Sequence, residues 1–285
     1  MKTVVVTGVS SGIGAATAQA LARAGFKVFG SVRKTEDAAA LKAEFGEAFQ
    51  PLIFDVTDEA AIAAAAAEVR AALAGVRLNG LVNNAGASIA GPLALQPVAD
   101  FRKQIEINLV GPFLVTQAFA PLLGTDPALT GPPGRIVNIS SVGGKMAAPF
   151  IGAYAVTKHG LEAYSEALRR ELMLFGVDVI IIGPGAVVTP IWDKAEAAGI
   201  GPYAGTPYDA PMRAFSAWFL ESGRRDGYPP ARVAEVVLTA LTTERPKVRY
   251  AVVPKPVMNW IVPRLLPKRM VDRTMGKAIG LLPKG

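Results

Sequence analysis

A glycine-rich turn near the N-terminus constrains the fold of this chain more than any other feature of its sequence. Gly8, Gly12 and Gly14 lie between a β-branched run at 2–7, which predicts a strand, and a segment at 15–24 with helical composition. Glycines here permit a tight turn and let the backbone approach a pyrophosphate, while the helix N-terminus offers free N–H groups to anionic oxygens. The order of strand, turn and helix therefore predicts the first unit of a dinucleotide-binding fold.

Strands and helices alternate along most of the chain. Further strands are predicted at 27–32, 51–54, 79–83, 135–140, 177–182 and 248–253, and further helices at 57–73, 101–123, 154–175 and 231–242. Such alternation is typical of a parallel sheet with helices on both faces. The sequence predicts one doubly wound α/β domain with a seven-stranded parallel sheet, spanning residues 1–285.

Tyr154 and Lys158 lie four residues apart in one predicted helix, so their side chains share a helix face. A tyrosine with an ordinary pKa of about 10 is a poor proton shuttle at neutral pH, but a nearby cation lowers that pKa. Tyr154 is therefore a candidate general acid or base, although this spacing also occurs on many solvated helix faces. Ser141 follows a predicted strand, and its hydroxyl is expected at the carboxyl edge of the sheet, where ligands bind.

The chain contains no cysteine and one histidine, His159. Disulfides, thiol nucleophiles and cysteine-ligated metals are therefore excluded, and no metal site is predicted. His159 is expected to be a packing residue, because it points away from Lys158 on the helix. The N-terminus enters a strand without a cleavable leader, and no uninterrupted apolar run of ~18 residues occurs, so we expect a cytoplasmic protein.

Arg33 and Lys34 follow the second predicted strand. In dinucleotide folds an acidic residue here binds the ribose 2′-hydroxyl, whereas a basic residue accommodates a 2′-phosphate. The sequence therefore favours NADP(H) over NAD(H), although both residues can also be read as solvated loop charges. Asn108 lies inside a predicted helix, where asparagine is a poor helix former. Asparagine at that position indicates a buried side chain with a polar function.

The chain loses clean periodicity after residue 190. Residues 191–230 are rich in glycine, proline and aromatic side chains, which predicts a substrate-binding lid. Residues 255–285 form a basic amphipathic extension, for which three interpretations stay open: peripheral contact with an anionic membrane, a cover over the substrate pocket, or a subunit contact. The net charge of +7 also fits nucleic acid, but no recognition motif supports a nucleic-acid partner.

Seven motifs in order and at matching spacings make residues 1 to about 190 resemble the short-chain dehydrogenase/reductase family in its single-domain form. The motifs are Thr7-Gly8-x-x-x-Gly12-Ile13-Gly14, Asp55-Val56, Asn83-Asn84-Ala85-Gly86, Asn108, Ser141, Tyr154-x-x-x-Lys158 and Pro184-Gly185 with Thr189. From residue 191 onward the resemblance holds only in outline.

The resemblance implies a role for each of these positions. Tyr154 would exchange a proton with the substrate oxygen, Lys158 would bind the nicotinamide ribose and lower the tyrosine pKa, and Ser141 would hydrogen-bond the substrate. Asn108 would hold a water that relays protons to solvent. The remaining positions would contact the cofactor. The pyrophosphate would be contacted by Gly8, Ser11, Gly12, Ile13 and Gly14, and the adenine by Asp55 and Val56. The nicotinamide side would be contacted by Asn83, Gly86, Pro184, Gly185 and Thr189.

Within that family, the sequence is similar to members that act on steroids, retinoids and other lipophilic alcohols or ketones. Phe150 and Val187 would then give the substrate pocket apolar walls. The resemblance also implies a homodimer or homotetramer formed through the long helices. Alternatives are a catalytically silent dinucleotide-binding regulatory protein and an NAD(H)-using dehydrogenase of the same family; a nucleotide-sugar epimerase would need a larger C-terminal domain.

Overall fold

Seven parallel strands form a sheet at the centre of the protein, within the residues that the computed structural model describes, 1–189 and 199–283. The strands are β1 (Lys2–Val6), β2 (Phe26–Val32), β3 (Phe49–Ile53), β4 (Gly80–Asn83), β5 (Arg135–Ile139), β6 (Asp178–Pro184) and β7 (Arg249–Val252). Their order across the sheet is β3-β2-β1-β4-β5-β6-β7, and every neighbouring pair is parallel.

Helices cover both faces of this sheet. They are α1 (Gly12–Arg23), α2 (Thr35–Phe45), α3 (Glu59–Leu73), α4 (Val98–Ile105), α5 (Gly111–Ala120), α6 (Gly152–Glu171), α7 (Asp209–Asp226), α8 (Pro230–Thr242), α9 (Val262–Leu265) and α10 (Lys268–Ile279). One face of the sheet packs against α1, α2 and α8, and the other against α3, α5 and α6. The predicted doubly wound α/β architecture is therefore confirmed.

The strands are apolar on both sides because helices cover both faces. In β1, Val4 and Val6 pack into the core on one face and Val5 packs into the core on the other. All three side chains are fully buried. Parallel strands covered in this way are near-continuous β-branched runs, which explains why the sequence pattern located them.

The direction of the strand order reverses between β1 and β4. The chain runs outward from β1 to β3, crosses back to β4, and then runs outward on the other side. In open α/β sheets, ligands bind beyond the carboxyl ends of the strands at such a switch point. The glycine-rich turn after β1 and the loop after β4 meet at this edge.

One long helix, Val98–Thr125, contains α4 and α5. Two π-turns interrupt it, at Glu106–Val110 and at Pro121–Thr125. Among the described residues, this helix is long and apolar enough to cross a membrane, yet half of its most apolar window is buried inside the protein. A core helix meets the same criterion, so this finding alone does not indicate a membrane span.

The structure corrects part of the prediction for residues 191–230. A regular helix of 18 residues, α7, lies in this region, where none was predicted. Its apolar side chains recur at helical spacing as Met212, Phe215 and Phe219, but the neighbouring glycines and prolines obscured that period. Residues 190–198 lie outside the described residues, so the assignment of the whole segment as a lid stays a prediction.

The C-terminal extension forms α10, which docks on the body of the protein. Gly276 and Ile279 are buried on one side of this helix, while Arg269, Arg273 and Lys277 are exposed on the other. Ile279 packs in the same apolar cluster as Phe150. For α10, docking beside the predicted substrate wall is the one of the three interpretations that these contacts favour.

Candidate active site

A phenol and an ammonium group meet near the start of α6, at the carboxyl edge of the sheet. Lys158 Nζ lies 5.6 Å from the centroid of the Tyr154 ring and donates a hydrogen bond to Ile139 O at 2.8 Å. Ser141 follows β5 and shares a side-chain hydrogen bond with Tyr154. Its Oγ also accepts a hydrogen bond from Gly143 N at 3.0 Å. The structure thus brings Tyr154, Lys158 and Ser141 together, as their spacing predicted.

The pKa of Tyr154 departs from its ordinary value in the direction opposite to that predicted. Burial raises this pKa, and the hydrogen bond with Ser141 lowers it to a smaller extent. A buried phenolate loses its hydration, so burial favours the neutral phenol. The sequence predicted a lowered pKa because it placed Lys158 nearby, but the sequence could not show that Tyr154 is half-buried and that Lys158 is almost fully buried.

Burial also acts on Lys158, whose side chain is almost inaccessible to solvent. Burial lowers the pKa of this ammonium group to about 8, while the negative charge of Glu162 raises it. At pH 7 the side chain therefore stays mainly protonated. A carboxylate one helical turn away helps to keep it so.

Asn108 lies in the π-turn between α4 and α5 and is fully buried. Its Oδ1 accepts a hydrogen bond from Ala87 N at 2.8 Å, and its Nδ2 donates to Ala87 O at 2.8 Å and to Thr157 Oγ1 at 3.0 Å. Thr157 Oγ1 in turn donates to Tyr154 O at 2.7 Å. Asn108 therefore connects the loop after β4 to the helix that carries Tyr154, and its predicted water relay stays a prediction.

The glycine-rich turn has the geometry that its sequence predicted. Gly8 and Gly12 have φ of 70° and 61°, which is the left-handed region that favours glycine. A Cβ atom on Gly14 would lie 2.1 Å from Gly8 O and 2.5 Å from Asn84 Nδ2, so only glycine fits there. A dinucleotide pyrophosphate fits this cradle, because α1 begins at Gly12 and directs its first N–H groups towards the turn.

Other side chains hold this turn in place. Asn84 Nδ2 donates hydrogen bonds to Thr7 O at 2.9 Å and to Gly8 O at 3.1 Å, while Ser31 Oγ accepts one from Gly8 N at 3.0 Å. Ser11 is the N-cap residue of α1. Within the described residues, its side chain makes no capping hydrogen bond, so it leaves the helix N-terminus available to an anion.

The loop after β6 approaches the glycine-rich turn from the other side. A Cβ atom on Gly12 would lie 3.3 Å from Thr189 Cγ2, and Gly185 N donates a hydrogen bond to Val252 O at 2.9 Å. Gly86 lies over the catalytic group, since a Cβ atom there would be 3.3 Å from Asn108 Oδ1 and 3.9 Å from Lys158 Nζ. These positions surround the space predicted for the nicotinamide side of the cofactor.

Arg33 and Asp55 lie together beyond the ends of β2 and β3. Arg33 Nη1 is 3.9 Å from Asp55 Oδ2, and the Arg33 side chain is 75% exposed. Asp55 Oδ1 accepts hydrogen bonds from Thr57 N at 3.0 Å and from Thr57 Oγ1 at 2.8 Å. Val56 is buried against Gly111. A long, exposed ion pair of this kind is weak, so Arg33 is free to engage another anion.

Asn83, predicted on the nicotinamide side, directs its side chain into the protein instead. Its Nδ2 donates hydrogen bonds to Thr116 Oγ1 at 3.1 Å and to Asn138 Oδ1 at 2.9 Å. Asn138 Nδ2 continues the network to Ser165 Oγ at 2.8 Å. The Asn83 side chain therefore ties β4 and β5 to the helices beneath the site.

An aromatic cluster joins Phe150 to side chains of α7. Phe150 lies four residues before Tyr154, and its ring makes edge contacts with Phe215 and Tyr208 at centroid distances of 5.7 and 6.2 Å. Phe150 has a φ of 64°, which is uncommon for a bulky residue, and its carbonyl accepts a hydrogen bond from Gly91 N at 2.7 Å. The buried members of this aromatic cluster are Phe150, Ile200, Tyr203, Met212, Phe215 and Ile279.

Two other predicted positions lie apart from this cluster. Val187 was predicted to form a wall of the substrate pocket with Phe150, but it packs into the core between the sheet and α1 and α8. His159 places Nδ1 2.9 Å from Ala155 O on its own helix. The His159 side chain is exposed to solvent, so the packing role predicted for it is wrong.

The sequence from residue 2 to residue 199 matches the family profile described as short chain dehydrogenase. The chain belongs to the short-chain dehydrogenase/reductase family. An NADPH-dependent 3-dehydrocapnine reductase from Ornithobacterium rhinotracheale is 38% identical over 277 residues, which is 97% of each chain. Retinol dehydrogenase 5 from Mus musculus is 33% identical over 95% of this chain and 86% of that protein.

A solved structure of a short-chain dehydrogenase from Streptomyces avermitilis has the same fold. It covers 99% of this chain and 98% of its own, with a TM-score of 0.78 and 28% sequence identity. The chain is thus an oxidoreductase of the short-chain dehydrogenase/reductase family, whose members bind a nicotinamide dinucleotide and act on small carbonyl or alcohol substrates.

Sequence reasoning missed several side chains that build this short-chain dehydrogenase/reductase site. Ser31 and Asn84 hold the glycine-rich turn, and Thr157 connects Asn108 to α6. A polar residue inside an apolar strand is the signal that could have revealed Ser31. Glu162 lies one turn beyond Lys158, so the same four-residue spacing that pointed to Lys158 could have revealed it.

Proposed function

We propose that the protein is an NADP(H)-dependent carbonyl reductase or alcohol dehydrogenase that acts on lipophilic substrates. The observation that carries this proposal is the group formed by Tyr154, Lys158 and Ser141 at the carboxyl edge of the sheet, which also carries a glycine-rich turn that fits a pyrophosphate. When bound, the reduced cofactor supplies the hydride that goes to the carbonyl carbon.

Tyr154 gives the carbonyl oxygen its proton in the proposed reaction. Because burial raises its pKa, this side chain is a neutral phenol at pH 7 and can act as a general acid. Ser141 donates a hydrogen bond to the same oxygen, and Lys158 stabilises the negative charge left on Tyr154 by proton transfer. The products are the alcohol and the oxidised cofactor, and a proton from solvent restores Tyr154.

The proposed preference for NADP(H) rests on Arg33. Its guanidinium is largely exposed beyond the end of β2 and forms only a long ion pair with Asp55. A basic residue here accommodates a 2′-phosphate, which NAD(H) lacks. The relative named as an NADPH-dependent reductase agrees with this preference.

The proposed lipophilic substrate class rests on the aromatic cluster. Phe150, Phe215 and Ile279 bring rings and an aliphatic side chain together in this cluster, and Phe150 lies four residues before Tyr154 in the chain. Substrate pockets are lined mainly by such side chains, with few polar groups that fix orientation. The relative named as a retinol dehydrogenase supports a lipophilic alcohol or carbonyl substrate.

A spectrophotometric assay tests the proposed reaction. Purified protein is mixed with NADPH or NADH and with steroid, retinal, aromatic or aliphatic carbonyls, and the loss of reduced-nicotinamide absorbance is followed. Turnover with NADPH on a lipophilic class is the expected result, and Tyr154→Phe should abolish it while NADPH binding persists. Tight NADPH binding without turnover on carbonyls, or on alcohols with NADP, would instead identify a silent dinucleotide-binding protein.

We also propose that the protein is cytoplasmic and that it contacts anionic membranes through the segment 257–270. Val257, Met258, Ile261 and Leu265 are 58%, 64%, 45% and 78% exposed. Basic residues lie among and after them at Arg264, Lys268 and Arg269. Exposed apolar side chains combined with cationic ones are typical of a surface that binds anionic lipid.

Vesicle flotation tests this contact. The protein should float with vesicles that contain phosphatidylserine and remain behind with neutral phosphatidylcholine vesicles, and Leu265→Asp should weaken the binding. Leu174→Asp is the matched control, because Leu174 is 82% exposed in the 3-10 turn that follows α6, outside this segment. An intact protein that does not float with anionic vesicles would refute the contact.

A homodimer or homotetramer formed through the long helices remains part of the proposal. Phe113 of α5 and Val156 of α6 are 42% and 46% exposed, so each helix presents apolar side chains outward. Light scattering should give twice or four times the 29.8 kDa of one chain, and Val156→Arg should lower that mass. A monomer at micromolar concentration would contradict the proposed assembly.

A further inference from the structure

A buried cluster of charges lies one helical turn beyond Lys158. Glu162 is 3% exposed and follows Tyr154 and Lys158 at the next four-residue step of α6. Arg249 of β7 donates to it twice, from Nε to Oε2 at 2.9 Å and from Nη2 to Oε1 at 3.0 Å. Lys145 Nζ lies 3.3 Å from Oε2. The proposed mechanism leaves this cluster without a role.

The chain makes room for this cluster at two glycines. A Cβ atom on Gly144 would lie 2.9 Å from Glu162 Cγ, and one on Gly183 would lie 2.4 Å from Arg249 Nη2. Trp260 covers the other side of Arg249, with its ring centroid 4.6 Å from the guanidinium carbon. Because small residues and an aromatic cover enclose it, the ion pair is sheltered from solvent rather than exposed as a surface pair.

The cluster touches the catalytic group at two points. Arg249 Nη2 donates to Ser141 O at 3.4 Å, which links β7 to the main chain that carries the Ser141 hydroxyl. The carboxylate of Glu162 raises the pKa of Lys158, in opposition to burial. Of the charged and titratable groups in this part of the structure, Tyr154 and Glu162 of α6 act on Lys158, while Arg249 of β7 and Lys145 of the loop between β5 and α6 contact Glu162.

We propose that Glu162 is a positioning residue for the reaction: held by Arg249 and Lys145, it keeps Lys158 an ammonium ion and fixes the main chain at Ser141. This inference rests on the roles proposed for Tyr154 and Lys158. A buried pair with a purely structural role would change the stability of the fold. A positioning pair also changes how the rate depends on pH.

The test is the pH profile of kcat/KM with NADPH for three variants of the full chain. Glu162→Gln should move the alkaline limb about 1 pH unit lower, because Lys158 loses a neighbouring anion. Lys145→Gln should move it in the opposite direction by a smaller amount, because a partly exposed cation is removed. Glu166→Gln is the matched control, since Glu166 lies one turn further along α6 in an exposed pair with Arg170, and it should leave the limb in place.

Melting and NADPH titration establish that each variant is folded. If Glu162→Gln does not fold, the upward shift expected for Lys145→Gln decides the question alone, because 39% of the Lys145 side chain is exposed. If the alkaline limbs of the pH profiles of Glu162→Gln and Lys145→Gln coincide with that of the wild-type protein, the inference is overturned. Tyr154→Phe in the same assay separates the two proposals: retained turnover would refute the catalytic role of Tyr154, whatever the other profiles show.

Discussion

Gly14→Ala tests whether the glycine-rich turn is packed as tightly as the structure indicates. Helix propensity alone predicts that alanine near the start of α1 stabilises the fold by about 1 kcal/mol. The added Cβ atom would lie 2.1 Å from Gly8 O and 2.5 Å from Asn84 Nδ2, and overpacking of this severity costs about 3 kcal/mol. The contact therefore outweighs the propensity, and the free energy of unfolding should fall by about 2 kcal/mol.

Calorimetry and fluorescence titration measure the two consequences of this change. A loss of about 2 kcal/mol corresponds to a fall in Tm of about 4–8 °C for a domain of this size. The Kd for NADPH should rise about tenfold, because the turn must move to release the clash. Gly25→Ala is the control: its φ is 82° and nothing lies within 4 Å of the added Cβ, so it should lose about 1 kcal/mol without weaker NADPH binding. A Gly14→Ala protein that melts above wild type and binds NADPH equally well would refute the reasoning.

Arg33→Asp should shift the ratio of kcat/KM from NADPH towards NADH, and an unchanged ratio would exclude Arg33 as the 2′-phosphate contact. The free energy of unfolding of the wild-type protein, measured relative to that of Lys158→Met, should rise by up to about 3 kcal/mol between pH 8 and pH 10.5. The reason is that Lys158 has a pKa of about 8 in the folded protein and an ordinary value of 10.5, so the unfolded chain binds more protons in that pH range. Urea titrations of both proteins at pH 8 and pH 10.5 measure this change, and an equal free energy of unfolding at the two pH values would contradict the burial of Lys158. Phe150→Ala should raise KM for a lipophilic ketone about tenfold while the Kd for NADPH stays constant. An equal rise in KM and in Kd would show that Phe150 acts through the stability of the fold.

The sheet and the placement of the catalytic group could be predicted because local patterns record them. Val4, Val5 and Val6 form a β-branched run that is buried on both faces, and such a run is recognisable without knowledge of its partners. The four-residue step from Tyr154 to Lys158 is equally local. The positions of the strands along the chain and the face of α6 that carries Tyr154 and Lys158 could therefore be predicted from the sequence.

Features that depend on burial or on distant partners could not be predicted. The pKa of Tyr154 is raised because of the depth of the site, which no residue type reveals. Glu162 and Arg249 are 87 residues apart in the chain, and Val187 joins the core on the side of α1 although its place in the chain suggested the substrate pocket. The burial of the site, the contact between Glu162 and Arg249 and the packing of Val187 all depend on which helices and strands the fold brings together.

The amide that holds the glycine-rich turn also has a consequence for the order of folding. Asn84 lies 76 residues after Gly8 and donates to its carbonyl, so the first strand, turn and helix of the chain contain the glycines without the group that fixes them. Contacts at such sequence separation form after a large loop has closed. During refolding, the ability to bind NADPH should therefore emerge only after β4 has joined β1, later than the helical signal of α1. The glycine-rich turn is therefore synthesised before the residue that holds it in place, and it is among the last parts of the fold to become functional.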